Sequence, residues 1–121
     1  DVCSSDLALV PRLEARIEKM CAQGAMQEVE EAWQRCPDEN APGWSGIGCF
    51  ELLQAYLRRW SMAQAQETWL KNTRAYAKRQ LTWFQKESDI VWRAGDDTSS
   101  ALETAVSWLN ELKAKGWTGD P

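Results

Sequence analysis

Apolar positions recur at three- and four-residue spacing along most of the chain, and each series is closed by a residue that stops a helix. Leu13, Ile17, Met20 and Cys21 make the first series, with Pro11 suited to a first turn and Gly24 to a left-handed stop, which predicts a helix over 11–23. Met26, Val29, Ala32 and Trp33 make the second, over 25–35, ended by Cys36-Pro37 because proline disfavours helix at the residue before it. The stretch 37–48, PDENAPGWSGIG, holds two prolines and three glycines and reads as a loop with several unusual backbone angles. Phe50, Leu53, Tyr56 and Leu57 then predict a third amphipathic helix, ending near 58–60.

Ser61 and Gln64 fit a capping box, and Leu70, Ala77, Leu81 and Phe84 keep one apolar face over a long helix at 62–85. Residues 89–92, DIVW, form a short apolar run between polar flanks and predict a short strand, which needs a sheet to join. Ser100 with Glu103 fits a second capping box, and Leu102, Ala105, Val106, Leu109 and Leu112 predict a last helix stopped by Gly116. The expected fold is mainly α, with about five helices and one short strand. Residues 1–7 (DVCSSDL) read as a disordered leader or as translated sequencing-adapter read-through, 8–116 as the helical region, and 117–121 as a frayed tail.

Composition narrows the chemistry. The 121 residues contain no histidine, which removes Ser-His-Asp, Cys-His and His-metal arrangements. Cys3, Cys21, Cys36 and Cys49 include no C-x-x-C pair, so neither a zinc ribbon nor a redox motif is offered. A four-cysteine disulfide framework stays open, but helices with a good apolar face do not need such staples, and reduced thiols are expected. No run approaches the length needed to span a bilayer and no signal peptide is legible, so no membrane association and a cytoplasmic location are expected. Eight tryptophans are far above ordinary usage and serve either as core or as flat surfaces for a partner.

The net charge of −4 is not that of a free-standing nucleic-acid binder, yet its distribution is uneven. From Arg58 to Lys86 there are seven cations (Arg58, Arg59, Lys71, Arg74, Lys78, Arg79 and Lys86) against one acid, Glu67, which is a local +6. Lys71, Arg74 and Lys78 fall at i, i+3 and i+7, one stripe of a helix, with Arg79 about 100° off it and Tyr76 and Trp83 alongside. Cations for phosphates beside planar rings for unstacked bases are what RNA binding uses. A solvated helix face accounts for the stripe equally well, and Trp69 and Trp83 fit core positions at least as readily as stacking platforms.

Within 72–84, NTRAYAKRQLTWF, the residues Thr73, Arg74, Ala77, Lys78, Arg79, Gln80, Thr82 and Trp83 follow the pattern TR-x-x-AKRQ-x-TW. The segment closely resembles the C-terminal helix of bacterial tRNA dimethylallyltransferases, the IPP transferase family. Upstream, Ile47-Gly48 with Glu51 and Tyr56-Leu57 resemble the family's IGY-x-E and YL patterns. Arg12, Arg16, Met20, Gly24 and the Glu28-Val29 pair sit where it has an arginine pair, a methionine, a glycine and Glu-Val. Cys49 replaces the usual tyrosine, so contacts of that ring or hydroxyl do not carry over. The likeness covers about 8–95.

The resemblance implies transfer of a dimethylallyl group from its diphosphate to N6 of the adenosine next to the anticodon. By matched position, Arg16 would contact the donor pyrophosphate. Ser45, Gly46, Ile47, Gly48, Cys49 and Phe50 would form a loop on the tRNA anticodon stem-loop. Thr73, Arg74, Lys78, Arg79 and Gln80 would belong to the helical segment that does the same. The phosphate-binding loop, the catalytic aspartate and the magnesium (Mg2+) site would belong to an N-terminal P-loop domain of the ATP-binding type, whose sheet residues 89–92 would join. No G-x-x-x-x-G-K-[ST] occurs in these residues, so the fragment alone is expected to be inactive. The intact enzyme is expected to be a monomer. Two further classes stand beside this one: a helical RNA-binding module without chemistry, and a plain helical scaffold. Arg16 together with the glycine loop favours the first over a pure binder, and the +6 cluster argues against the scaffold.

Overall fold

Apolar spacing and stop residues resolve into five α-helices and one 3-10 turn in a computed structural model that describes residues 2–119, with side chains from Leu7 onward. In chain order they are α1 (Val2–Ala22), α2 (Ala25–Arg35), the 3-10 turn (Pro42–Ser45), α3 (Cys49–Tyr56), α4 (Met62–Gln85) and α5 (Thr98–Ala114). The chain divides into two units, Asp1–Phe84 and Gln85–Pro121.

The first unit is built around α3, whose residues Glu51, Leu52, Leu53 and Gln54 are all buried. The expectation of a one-sided amphipathic helix is therefore corrected: neighbours cover α3 on most sides, and Phe50 is left 44% exposed against Trp60 in an edge-to-face pair at 5.8 Å. Ile17 of α1, Val29 of α2, Trp44 of the 3-10 turn and Trp69 of α4 close the core on Leu52 and Leu53. Trp33 tilts onto Trp44 with centroids 6.4 Å apart. Removing apolar area of this size from water is the main stabilising term, at about 1.5–3 kcal/mol per large side chain.

Local signals set most boundaries. Gly24, at φ 107°, separates α1 from α2. The first helix nevertheless extends back to Val2, with Pro11 inside it rather than in its first turn. Residues 1–6 of the expected leader lie outside the described side chains, and Leu7 is exposed. Ser61 and Gln64 exchange bonds as a capping box should: Gln64 N donates to Ser61 Oγ at 3.1 Å and Ser61 N donates to Gln64 Oε1 at 2.9 Å. The apolar face expected along α4 is nowhere fully buried: Leu70, Ala77 and Leu81 are half-buried and Phe84 is 39% exposed, while the buried residues of the helix, Ala65 and Trp69, lie about 100–140° around it from that face. Trp69 is thus a core ring, whereas Trp83 is a surface one at 59% exposure.

Within the second unit, residues 89–92 form no strand, and no strand occurs among the described residues. A strand requires a partner for its backbone groups, and the helical segments offer none. The last helix starts earlier than expected: Asp97 is its N-cap and accepts from Ser100 N at 3.2 Å, so Ser100 lies in the first turn. Gly116, at φ 92°, ends it as expected. Gly116 N donates to the Lys113 carbonyl at 3.0 Å and Trp117 N to the Leu112 carbonyl at 3.1 Å, the Schellman pattern. Of the tail at 117–121, Trp117 is thus tied by its backbone N–H to the end of α5, and residues 120 and 121 lie outside the described residues.

The same Schellman pattern closes α3, but with Arg58 at φ 57° where glycine is usual; Arg58 N donates to the Ala55 carbonyl and Arg59 N to that of Gln54. A Cβ in that left-handed region costs about 1–2 kcal/mol. Arg58→Gly is accordingly expected to raise unfolding stability by about 1 kcal/mol net of glycine's larger chain entropy, read as a higher urea midpoint at unchanged slope.

In this turn Arg59 grips the Glu39 carboxylate with both terminal nitrogens, at 2.8 and 2.5 Å, and so pins the 37–48 loop to the connection between α3 and α4. The hydrogen bonds from Arg59 hold the Glu39 carboxyl below its ordinary value, partly offset by desolvation. The favourable term is complete above the ordinary carboxylate range and is lost as the pH falls through the lowered folded-state value. Glu39→Gln should therefore be less stable than wild type near neutrality, and the two unfolding curves should converge in acid and in high salt.

Candidate functional site

Three elements far apart in sequence meet around an open groove of about 610 Å³. From α1 come Leu13, Arg16, Ile17 and Met20, spaced i, i+3, i+4 and i+7; from α4 come Trp69, Thr73 and Tyr76, spaced i, i+4 and i+7. Between them lie Ser45, Gly46 and Ile47 of the loop. The groove thus brings Arg16, Ser45, Gly46, Ile47 and Thr73 together, five of the residues singled out from sequence. Its floor is apolar, with Ile17 and Trp69 buried, and Arg16 and Tyr76 stand exposed at its margin.

The loop is seated by its last glycine. Gly48 has φ 92°, and a Cβ there would lie 2.7 Å from the Trp69 ring. Its N–H donates to Glu51 Oε2 at 2.6 Å, while Glu51 Oε1 accepts from Asn72 Nδ2 at 2.6 Å. One carboxylate at 1% exposure therefore holds the end of the loop and the middle of α4. Close backbone approach is a property of Gly48 alone: Gly43 has open space, and a Cβ on Gly46 would make only ordinary contacts, the nearest at 3.5 Å. Ser45 Oγ donates to the Pro42 carbonyl at 2.7 Å, which closes the 3-10 turn.

The remaining expected site residues lie outside the groove. Gly48 and Cys49 line a smaller apolar cavity of about 280 Å³ with Val29, Trp44 and Trp69. Phe50 packs on Trp60. On α4, Gln80 returns to within about 20° of Thr73 and continues the groove-side stripe, whereas Arg74 and Lys78 lie about 100° and 140° around the helix. Arg74, Lys78, Arg79 and Gln80 are all exposed, and Arg79 stacks over Tyr76 at 5.8 Å from the ring centroid. Thr73 and Thr82 donate their hydroxyls back to the Trp69 and Lys78 carbonyls, at 2.8 and 2.9 Å. Glu51, Asn72 and Trp69 were not singled out as site residues from sequence. The signal for Glu51 was its place three residues after Gly48, the capping-box position, which a glycine N-cap conceals.

Cys21, Cys36 and Cys49 are free thiols. Among the described residues no group of three or more His, Cys, Asp or Glu side chains could hold a metal ion. No helix of the described residues is long and apolar enough to cross a membrane.

The family described as IPP transferase matches residues 2–87. The chain is 50% identical over 101 residues to a tRNA dimethylallyltransferase of Maridesulfovibrio salexigens, covering 84% of this chain and 33% of that protein. It is 43% identical over 104 residues to the tRNA dimethylallyltransferase of Lawsonia intracellularis, covering 86% of this chain and 34% of that one. A solved structure of full-length tRNA isopentenylpyrophosphate transferase from Bacillus halodurans superposes with a TM-score of 0.75 at 25% identity, over 89% of this chain and 37% of that one. The chain belongs to the IPP transferase family. It spans about a third of the length of the curated relatives it matches, and its helices correspond to a helical part of the longer fold.

The two loop glycines make a direct test of the seating. Gly48→Ala must adopt a positive φ and push into the Trp69 ring, and is expected to cost about 2–4 kcal/mol in urea unfolding. Gly46→Ala, at an ordinary φ with room for a methyl, should stay within about 0.5 kcal/mol of wild type.

Proposed function

We propose that this chain supplies one wall of the site at which a tRNA dimethylallyltransferase moves the dimethylallyl group of dimethylallyl diphosphate to N6 of the adenosine next to the anticodon. What supports the reading is a single observation. Arg16, the residue matching the family's pyrophosphate arginine, shares one groove with Ser45, Gly46, Ile47 and Thr73, which match its tRNA-contacting loop and helix.

The chemistry follows from the groups present. As the allylic C–O bond breaks, negative charge grows on the departing pyrophosphate, and a guanidinium placed beside it lowers the barrier. A carboxylate elsewhere in the enzyme takes the N6 proton; with the phosphate-binding loop, it would come from sequence outside these 121 residues. Magnesium, where bound, would neutralise pyrophosphate charge, held by the N-terminal part of the enzyme together with the phosphates. The loop backbone and the exposed Arg74, Lys78, Arg79 and Gln80 of α4 would hold the stem-loop, chiefly through phosphates. The target adenine has to leave its stack to reach the donor, so the groove would form one side of a channel completed by the rest of the enzyme. The 121 residues alone are expected to transfer nothing.

The test is a completed enzyme, made by joining this chain to the N-terminal part of a relative and assayed with magnesium and an anticodon stem-loop. Arg16→Ala should reduce kcat by about 100-fold with stem-loop binding intact. Lys78→Ala should weaken binding and lower the salt slope by about 0.7–0.9. Unchanged turnover in the first variant removes Arg16 from donor chemistry. A folded fusion that binds the stem-loop without transfer would favour an RNA-binding module.

A further inference from the structure

Glu51 is a titratable side chain at 1% exposure, and the reaction described above gives it no part. Its two oxygens serve different elements: Oε2 takes the Gly48 N–H of the loop and Oε1 the Asn72 amide of α4, both at 2.6 Å. Each partner adjoins a groove residue, Gly48 next to Ile47 and Asn72 next to Thr73. The loop also packs tightly at this point, because Gly48 lies against the Trp69 ring with no room for a methyl. The loop wall is therefore held against the α4 wall by the Gly48–Trp69 contact and by one carboxylate that bonds both, which fixes their register. Arg16, on α1, is held by neither of these bonds.

We propose that Glu51 is a positioning residue that sets the two RNA-facing walls of the groove against each other, through Gly48 on one side and Asn72 on the other. This rests on the reading that the loop and α4 contact the stem-loop. The required property is directional bonding rather than charge. A glutamine carbonyl can accept from Gly48 N, and its amino group can then donate to Asn72 once that amide turns to present its oxygen. Breaking one arm should loosen RNA positioning while donor binding at Arg16 stays intact.

The experiment measures KM for stem-loop and for donor separately in the completed enzyme, beside hydrogen exchange at the Gly48 amide in the 121-residue chain. Asn72→Ala, which removes one arm and leaves the Gly48 bond in place, should raise the stem-loop KM roughly tenfold and leave the donor KM within about twofold. Glu51→Gln should stay within about threefold of wild type in both. Glu51→Ala should speed Gly48 exchange if it folds, and Asn72→Ala keeps the test intact if it does not. Equal rises in both KM values, or a less stable Asn72→Ala enzyme with unchanged stem-loop KM, would reduce Glu51 to a structural group and overturn the proposal. So would a Gly48 amide that exchanges freely in wild type. A wild-type completed enzyme that keeps Gly48 protected but neither binds nor modifies the stem-loop would instead overturn the functional reading, and this proposal with it.

Discussion

A carboxylate removed from water has to be supplied with donors, and in this chain the donors come from two segments that would otherwise have no reason to meet. Glu51 takes one from the backbone of Gly48 and one from Asn72, and the rest of the first unit is arranged so that both can be delivered. The Trp69 ring packs where a side chain on Gly48 would have been, α3 is buried on successive residues so that Glu51 faces inward, and the 3-10 turn within the loop anchors Trp44 in the core. Such a bond set is expensive to leave half made, so loop and helix are locked as a pair rather than separately.

Much of the fold was legible because its signals are local. Gly24, the Ser61–Gln64 box and Gly116 each act through their own backbone angles or bonds, and each operates where its residue type says it should. The misreadings have a common cause, which is that a short pattern does not reveal what covers it. The DIVW run has strand composition but no neighbouring strand among the described residues. The α4 stripe of Leu70, Ala77, Leu81 and Phe84 has core composition but is at most half-buried, and α3 looked one-sided although neighbours cover it on most sides. Asp97 displaced Ser100 as N-cap because its side chain reaches Ser100 N three residues on, and either residue type suits that position.

The site was legible to the extent that it is carried by residue types with few alternatives. Arg16 and Thr73 could be named singly from the family's pattern, but their proximity depends on α1 and α4 packing against the loop, which no spacing within one segment encodes. The loop glycines show the opposite limit. Three look alike in PDENAPGWSGIG, and the folded structure tells Gly48 from Gly43 and Gly46 by its positive φ and the packing of Trp69 against it. Glu51 resembles an ordinary helix-start acid until its second oxygen is seen on Asn72, twenty-one positions further along.

The burial of α4 ends at Trp69, yet the helix runs on to Gln85. Its root is packed at Trp69, and Lys78, Gln80 and Trp83 stand exposed on the stretch toward its far end. From Trp69 to Phe84 the span is about 22 Å at 1.5 Å per residue, so a tilt of about 5° at the root moves the tip by about 2 Å. That displacement approaches the whole length of a hydrogen bond. Where the far end of the helix points is therefore decided by the fit of a few atoms around the indole at its base.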